Sequence, residues 1–354
     1  MIIKNINFKN FRNLEEINIE PCETMNVICG ENAQGKTNII EGIWLFTGAK
    51  SFRGSKDNNL LQFKKQRARL SVDFIGDGIE KTARLEIETK RTAVLNEKRL
   101  KSAAHLAGNF NAIVFSPNDL QIVSDGPSVR RKFLDIAIGQ LYPSYIENLK
   151  NYLRAVTQRN KIIKDYKYDS TLSVMLDVFE KEIAENGKKI ITARQNYIKS
   201  ISGYLGKIYE GISREKESLS ISYICSSNGE DLEQKLKEKR QEDSFLGATS
   251  IGPHRDDIDF KINGVSARLY GPQGQKRSVA LCLKLAEAEV IRKNTGEYPV
   301  CLLDDVMSEL DVDRQNFILN HIKGMQTFLS CCDPQNFKGL KSGKVFTVKD
   351  GKIL

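Results

Sequence analysis

One stretch near the start of the chain restricts the possible folds more than any other. Residues 30–37 have the spacing G-x-x-x-x-G-K-T. The apolar run Met25–Cys29 before it predicts a strand, and Asn38–Phe46 after it predicts a helix. A glycine loop between a strand and a helix is the context in which this motif binds a polyphosphate. The sequence therefore predicts an α/β fold with a phosphate loop.

The types of residue in this loop match that chemistry. Gly30 and Gly35 permit a tight turn, so that backbone N–H groups and the positive end of the helix face the phosphates. Lys36 is expected to reach the terminal phosphates, and the Thr37 hydroxyl to ligate Mg²⁺. The predicted nucleotide-binding residues of the loop are Gly30, Glu31, Asn32, Ala33, Gln34, Gly35, Lys36 and Thr37.

A second apolar run, Tyr298–Leu303, ends in two acids, Asp304 and Asp305. A buried strand that carries a carboxylate at its end completes a phosphate site. Asp304 is expected to bind Mg²⁺, and Asp305 to orient or deprotonate the attacking water. Asp305 and Lys36 are therefore the predicted catalytic residues. The loop and this strand lie near opposite ends of the 354-residue chain. A large insertion must therefore separate them.

Composition restricts the class of protein further. The chain has a net charge of +9, which favours a polyanionic partner, although charge alone decides little. Its seven cysteines form no C-x-x-C, and its three histidines are scattered, so we expect reduced thiols and no zinc site. No signal peptide and no membrane-length apolar run are present in the sequence. We expect a cytoplasmic, nucleoid-associated protein without a membrane partner.

The middle of the chain is predicted to be largely helical. A helix begins near Asp125-Gly126-Pro127, and Ser144–Lys164 and Thr171–Gly211 form two longer helices that we expect to pair antiparallel as an arm. Asn186-Gly187 is a possible kink. A hairpin follows, with strands Ile258–Ile262 and Ser266–Leu269 around Asn263-Gly264.

Two groups of basic residues are candidates for nucleic-acid contact. The first comprises Lys64, Lys65, Arg67 and Arg69, and the second Arg130, Arg131 and Lys132. The second group lies in the first turns of a helix, where cations oppose the helix dipole, so an external anion is a better explanation than local stability. A solvated surface remains the alternative for both groups.

Three further segments indicate a family. Gln273-Gly274-Gln275-Lys276-Arg277 resembles the signature motif of ABC-type ATPases, and Ser308-Glu309-Leu310-Asp311 resembles their D-loop. Lys9-Asn10-Phe11-Arg12 resembles the opening of SMC-type heads. Together with Gly252–Asp257 and Ser116–Leu120, these motifs resemble the bacterial RecF family over essentially the whole chain.

The resemblance implies an ABC/SMC-type P-loop ATPase head with an inserted helical arm. The head would comprise residues 1–115 and 246–354, and the arm residues 116–245. ATP and Mg²⁺ are the implied cofactors, and slow hydrolysis would be coupled to dimerisation. Arg12 is an implied nucleotide contact, and Gly274 and Gln275 would complete the nucleotide site of a second subunit.

The resemblance also implies partners. These are DNA at gaps and single-strand/duplex junctions, and RecO and RecR, with which the chain would support RecA loading and SOS induction. Two departures leave roles open: Pro272 stands where the signature motif usually has serine, and Phe328–Asp333 lacks the histidine of related switch strands. The γ-phosphate sensor is therefore unassigned.

Two other functions share the phosphate loop. A membrane-transporter ATPase would need neither a basic chain nor a long helical arm. A small-molecule P-loop kinase would need neither the signature-like segment nor the D-loop-like segment. Binding assays against DNA and against membrane proteins would separate the first of these from the family reading.

Overall fold

The structure is a computed structural model, and it describes residues 1–166, 168–332 and 343–354. Its contacts divide the chain into two compact units. The first comprises Met1–Leu120, Ile208–Glu215 and Arg277–Leu354, and the second comprises Gln121–Lys207 and Lys216–Lys276. Among the described residues, no helix is long and apolar enough to cross a membrane.

The N-terminal part of the first unit is mostly strand. Its elements are β1 (Ile2–Phe11), β2 (Leu14–Ile19), β3 (Met25–Cys29), α1 (Lys36–Trp44), β4 (Ala68–Gly76), β5 (Ile79–Ile87), β6 (Arg91–Leu95), β7 (Lys98–Arg99) and β8 (Ala112–Phe115). Short 3₁₀ turns lie at Leu45–Thr47, Asp57–Leu60, Ala103–Leu106 and Pro117–Asp119.

The middle of the chain carries most of the helix. Its elements are α2 (Leu120–Ser124), α3 (Pro127–Leu141), α4 (Pro143–Tyr166), α5 (Ser173–Ser213), β9 (Leu219–Ile224), α6 (Leu232–Glu238), α7 (Arg240–Leu246), β10 (Asp257–Ile262), β11 (Val265–Ser266) and α8 (Ala267–Tyr270). A 3₁₀ turn, Ser170–Leu172, precedes α5.

The C-terminal elements return to the first unit. They are α9 (Gln273–Thr295), β12 (Val300–Leu303), α10 (Val312–His321), β13 (Thr327–Cys331), β14 (Lys344–Lys349) and β15 (Lys352–Ile353), with a 3₁₀ turn at Met307–Glu309.

Among the residues that the structure describes, the first unit contains two six-stranded sheets. One is antiparallel, in the order β2-β1-β4-β5-β6-β7. The other has the order β15-β14-β3-β13-β12-β8, and its strands from β14 to β8 are parallel. The strand before the phosphate loop, β3, therefore lies between β14 and β13, and the acid-bearing β12 is one strand further along. Parallel order brings the carboxyl ends of these strands to one edge.

The antiparallel sheet shares an aromatic core with the 3₁₀ turn after α1 and with the segment before β8. Phe8 stacks on Phe46 with ring centroids 6.4 Å apart, and Phe46 makes an edge contact with Phe110 at 6.3 Å. A Cβ at Gly42 would lie 2.3 Å from the Phe8 ring, so only glycine lets the strand approach the helix this closely. This contact fixes the position of α1 and hence of the loop that opens it.

The second unit is built on α4 and α5. The long helix α5 continues through Asn186-Gly187, so the predicted kink does not interrupt it. Leu176, Ile183 and Ile190, seven residues apart, are all fully buried, as the sequence pattern predicts. A Cβ at Gly187 would lie 2.6 Å from the side chain of Leu232. Close packing against Leu232 therefore explains why this position is a glycine.

A buried ionic cluster joins α4 to α5 and α7. Arg159, fully buried, donates to Glu180 at 2.9 Å, to Asp243 at 2.6 Å and to Thr249 at 2.9 Å. Arg240 also pairs with Glu180. Buried charges require such pairing because the interior does not solvate them.

The argument from the helix dipole, that Arg130 and Arg131 need an external anion, is wrong. Arg130 is buried and forms a bidentate pair with Asp257, at 2.6 and 2.9 Å. Arg131 donates to the Asp256 carbonyl at 2.8 Å. Both cations are tolerated in the first turns of α3, although they oppose its dipole, because each has a partner more than a hundred residues away in the chain. Lys132 alone of the three is exposed.

The structure corrects one further prediction. Ser266–Leu269 is not a strand, because after the turn only the two residues of β11, Val265 and Ser266, pair with β10. A turn of helix, α8, follows, in which the Gly271 N–H donates to the Ala267 carbonyl. Two short helices, α6 and α7, precede this hairpin. The signature-like segment lies inside α9, which begins at Gln273.

The limits of the units differ from the predicted domain limits. Residues 246–276 belong to the second unit, whereas the predicted head included them. The reason is the three-stranded sheet β11-β10-β9, which joins this segment to the strand after α5. Residues 208–215, at the end of α5, belong to the first unit.

Candidate phosphate-binding site

The phosphate loop lies between β3 and α1. Gly35, at φ 118°, is in a conformation that favours glycine, and it caps the helix that begins at Lys36. A Cβ at Gly30 would lie 2.4 Å from the Val348 carbonyl oxygen. The first glycine is therefore required by the neighbouring strand β14 as well as by the turn, a constraint that the motif alone does not reveal.

Lys36 is held inside the loop. Its Nζ donates to the carbonyl oxygens of Gly30 at 2.6 Å and Glu31 at 2.9 Å, and it lies 3.6 Å from the Cys332 sulfur. Only 8% of the residue is exposed. These contacts are to carbonyls and a thiol, not to a carboxylate, so the charge of the ammonium is available to an anion.

Thr37 and Asp304 meet at the end of the loop. The Thr37 hydroxyl donates to Asp304 Oδ1 at 2.8 Å, and Ser330 donates to the same oxygen at 3.1 Å. Burial raises the pKa of Asp304, while these two hydrogen bonds lower it in part. A buried carboxylate beside a hydroxyl provides the hard oxygen ligands that Mg²⁺ prefers. The residues present therefore fit the ion.

Asp305 differs from its neighbour in exposure and in backbone conformation. It lies at φ 53°, which is uncommon for a residue other than glycine, and its N–H donates to Ser330 Oγ at 2.9 Å. Its side chain is exposed at the cavity and accepts a hydrogen bond from Ser308 at 3.1 Å. The turn directs two adjacent acids to different surroundings.

Arg12 lies at the cavity, but its guanidinium is already bonded. It forms a bidentate pair with the buried Glu41, both distances 2.9 Å, and donates to the Asn59 carbonyl at 2.7 Å and to Ser55 at 2.6 Å. Because Glu41 neutralises this charge, Arg12 fixes the wall of the cavity. Its direct contact with a nucleotide stays a prediction.

An open cavity of about 650 Å³ extends from the loop. Its lining includes Lys36, Thr37, Asp305 and Ser330, together with four residues that the sequence motifs do not contain: Arg53, Asn59, Leu61 and Phe63. Phe63 is 84% exposed. The signal that could have identified Phe63 is its position directly before the basic residues Lys64 and Lys65.

The remaining residues of the loop have different environments. Asn32 and Ala33 line the cavity. The Gln34 carbonyl accepts from the Gly351 N–H at 3.1 Å, and its side chain accepts from the Asp350 N–H, so Gln34 binds the hairpin of β14 and β15. Neither Glu31 nor Gln34 is part of the lining. Contact of these two residues with a nucleotide stays a prediction.

The predicted signature residues belong to the second unit. Gly274 is exposed in the first turn of α9, and Gln275 donates to Glu217 at 2.6 Å. Further along α9, in the first unit, Arg277 donates to the carbonyl of Glu309 in the D-loop-like segment at 2.6 Å. Contact of Gly274 and Gln275 with the nucleotide of a second subunit stays a prediction.

The strand order and this site define a class of protein, the ABC/SMC-type P-loop ATPase heads with an inserted helical arm. Residues 2–352 match the family described as RecF/RecN/SMC N terminal domain. Because relatives more than 30% identical match over nearly their whole length, the chain belongs to the RecF family.

Two curated relatives illustrate this similarity. The DNA replication and repair protein RecF of Clostridium perfringens is 37% identical over 362 aligned positions, covering 100% of this chain and 99% of the relative. That of Ruminiclostridium cellulolyticum is 38% identical over 368 positions, with 100% and 99% covered.

Solved structures of RecF and of an Smc head have a fold similar to that of this chain. The recombination mediator protein RecF-ATP in the RecFOR pathway superposes with a TM-score of 0.92 at 36% identity, covering 100% of this chain and 97% of that one. A Smc head domain from Pyrococcus furiosus gives 0.56 at 17% identity, covering 100% and 96%, which is a likeness of fold alone.

Proposed function

We propose that this chain binds and slowly hydrolyses ATP, and that ATP controls its action on DNA in replication and repair. The observation that carries the proposal is that Lys36, Thr37 and Asp305 line a cavity large enough for a nucleotide, with Asp304 hydrogen-bonded to Thr37. The name of the curated relatives, DNA replication and repair protein, and the ATP-bound RecF structure support it.

Each residue of the site has a separate role in the proposed hydrolysis. Lys36 would exchange its two carbonyl partners for the terminal phosphate oxygens, which form stronger hydrogen bonds because they are charged. Mg²⁺ would neutralise charge that develops on the phosphates. Thr37 and Asp304 would hold the ion, and exposed Asp305 would orient the attacking water and accept its proton.

Two lining residues, Leu61 and Phe63, suit the base of the nucleotide. If the phosphates occupy the loop, the ribose and base extend along the lining toward Leu61 and Phe63. Phe63 is exposed and lines the cavity, so its ring offers a face on which a base can stack. We therefore assign Phe63 to the base.

We also propose that ATP brings two copies together. In this arrangement Gly274, exposed at the beginning of α9, offers its backbone N–H to the γ-phosphate bound by the partner. The dimer would act as a clamp at DNA gaps and junctions. RecO, RecR and RecA are proposed partners in RecA loading and SOS induction, supported by the RecFOR pathway of the solved relative.

The first test combines nucleotide affinity with mass in solution. With ATP and Mg²⁺ the parent should sediment as a dimer, and DNA should increase the dimer fraction. Lys36→Ala should lose ATP binding, since it removes the mobile cation of the loop. Lys65→Ala, an exposed lysine outside the cavity lining, is the control. Unchanged ATP affinity in Lys36→Ala would refute the assignment of the loop.

A further inference from the structure

Three of the seven cysteines lie beside the phosphate loop. Cys29 is the last residue of β3, directly before Gly30. Cys331 is the last residue of β13, and Cys332 follows it. Nucleotide chemistry has no need of thiols at these positions, and the function proposed above does not use them.

Two of these thiols are placed for bond formation. Cys29 and Cys331 are register partners on adjacent parallel strands, and their sulfurs are 2.8 Å apart in a buried contact. Neighbouring strands lie ~4.7–4.9 Å apart, within the ~4.4–6.8 Å between Cα atoms that a disulfide requires. The backbone therefore needs little movement to accept the bond.

The same strand ends hold the lysine of the loop. Cys29 precedes Gly30, whose carbonyl binds Lys36 Nζ at 2.6 Å. Cys332 lies 3.6 Å from that Nζ and donates to Asn32 Oδ1 at 3.2 Å. A bond between Cys29 and Cys331 would thus join the two segments that bind Lys36, and would restrain both.

We propose that Cys29 and Cys331 form a reversible thiol-oxidation site whose disulfide weakens ATP binding at the adjacent loop. The coupling rests on the proposed ATP function, whereas the disulfide itself does not. The oxidant is a low-molecular-weight disulfide. One cysteine thiolate attacks it, releasing one small thiol and leaving a mixed disulfide; the second cysteine displaces the other small thiol. Two cysteine protons and two electrons thereby pass to the oxidant.

Cys331 is the thiol that attacks first. It is 9% exposed, compared with 1% for Cys29, and it adjoins the exposed Cys332. Burial and the neighbouring Cys29 raise the pKa of Cys331. The thiolate is therefore scarce at neutral pH, and the rate of disulfide formation should rise as the pH is increased.

Coupling between the two sites must be reciprocal. If the disulfide weakens ATP binding by roughly tenfold, bound ATP must disfavour the disulfide by the same factor. For this two-electron couple a tenfold factor corresponds to about 30 mV in reduction potential. ATP should therefore make the disulfide easier to reduce, which is a measurement independent of hydrolysis.

The experiment uses the full chain and oxidised glutathione. Free thiols are blocked with N-ethylmaleimide, disulfides are mapped by peptide mass, and ATP affinity is measured before and after dithiothreitol. We expect a link between residues 29 and 331, a roughly tenfold loss of ATP affinity and recovery on reduction. Cys331→Ser and Cys331→Ala should abolish the response, whereas Cys282→Ser, buried in α9, should retain it.

Three results would overturn the proposal. They are a disulfide mapped elsewhere or not at all, unchanged ATP affinity in protein that carries the 29–331 link, and a reduction potential that ATP does not alter. Mapping on the parent chain does not depend on the folding of any variant. Failure of the reduced protein to bind ATP would instead refute the proposed function.

Discussion

At the scale of single residues, two adjacent acids are given different chemistry by their surroundings. Asp304 is buried and accepts two hydroxyl hydrogen bonds, whereas Asp305 is exposed and lies in a left-handed backbone conformation. A carboxylate that binds Mg²⁺ must be held in place and shielded from full hydration, as Asp304 is. A general base must instead reach the attacking water, as Asp305 can. The geometry therefore favours the roles proposed for each.

Asp305→Asn tests this division. Asparagine tolerates positive φ and has the shape of aspartate, so the fold and ATP affinity should change little. Hydrolysis should slow by roughly 10²–10⁴-fold, because the amide does not accept the proton of the attacking water. Single-turnover hydrolysis with ATP affinity measures both effects, and Asp304→Asn, which should weaken Mg²⁺-dependent binding, is the comparison. Hydrolysis at the parental rate would remove Asp305 from the mechanism.

At the scale of elements, sequence patterns predicted the features that depend on neighbours along the chain. The loop spacing, the apolar strand before Asp304 and the seven-residue repeat of α5 could each be read locally. Contacts between distant residues could not. Arg130 faces Asp257, and Gln34 binds the hairpin at Asp350, and no local pattern connects either pair.

The buried cluster around Arg159 permits a test of element packing. Arg159→Ala should lower stability by about 3–5 kcal/mol, because Asp243 loses its buried guanidinium partner. Arg154→Ala is a matched control on the same helix: its guanidinium is 66% exposed, and its pair with Glu182 should contribute less than ~1 kcal/mol. Urea unfolding followed by circular dichroism measures both, and equal shifts would contradict the difference.

At the scale of the whole molecule, the net charge of +9 is not evenly available to a partner. Arg67 pairs with Glu86 and Glu88, and Arg69 with Glu86. Within the part of the chain that the structure describes, Lys64 and Lys65 are exposed and have no such carboxylate partner. We therefore expect the two lysines to contribute more to DNA affinity than the two arginines.

The dependence of DNA affinity on salt tests this expectation. Replacing Lys64 and Lys65 with glutamine should weaken binding to all DNA sequences. The slope of log affinity against log salt should fall by roughly 0.7–0.9 for each lysine that binds a phosphate in the parent. Replacing Arg67 and Arg69 is the comparison and should have the smaller effect. An unchanged slope in the lysine variant would show that both lysines are solvated surface residues that do not bind phosphates.

The proposed dimer makes a stronger prediction for the assembled molecule. Gly274→Glu should leave ATP binding by one subunit intact and should block ATP-dependent dimerisation, because the carboxylate would meet the partner's phosphates. Mixed with Lys36→Ala, it should regain partial ATPase activity, because one of the two shared sites then has both of its parts unaltered. An inactive mixture that contains mixed dimers, or normal dimerisation of Gly274→Glu, would contradict the shared site.

The position of β3 in its sheet has a consequence for the order of events during synthesis. Both strands that pair with it, β13 and β14, come about 300 residues later in the chain. At ~5–20 residues per second the ribosome needs roughly 15–60 s to supply them. Until then the strand that carries the phosphate loop has no sheet to join, and its apolar residues are open to chaperones. The nascent chain should therefore acquire nucleotide binding late, in a step governed by long-range pairing.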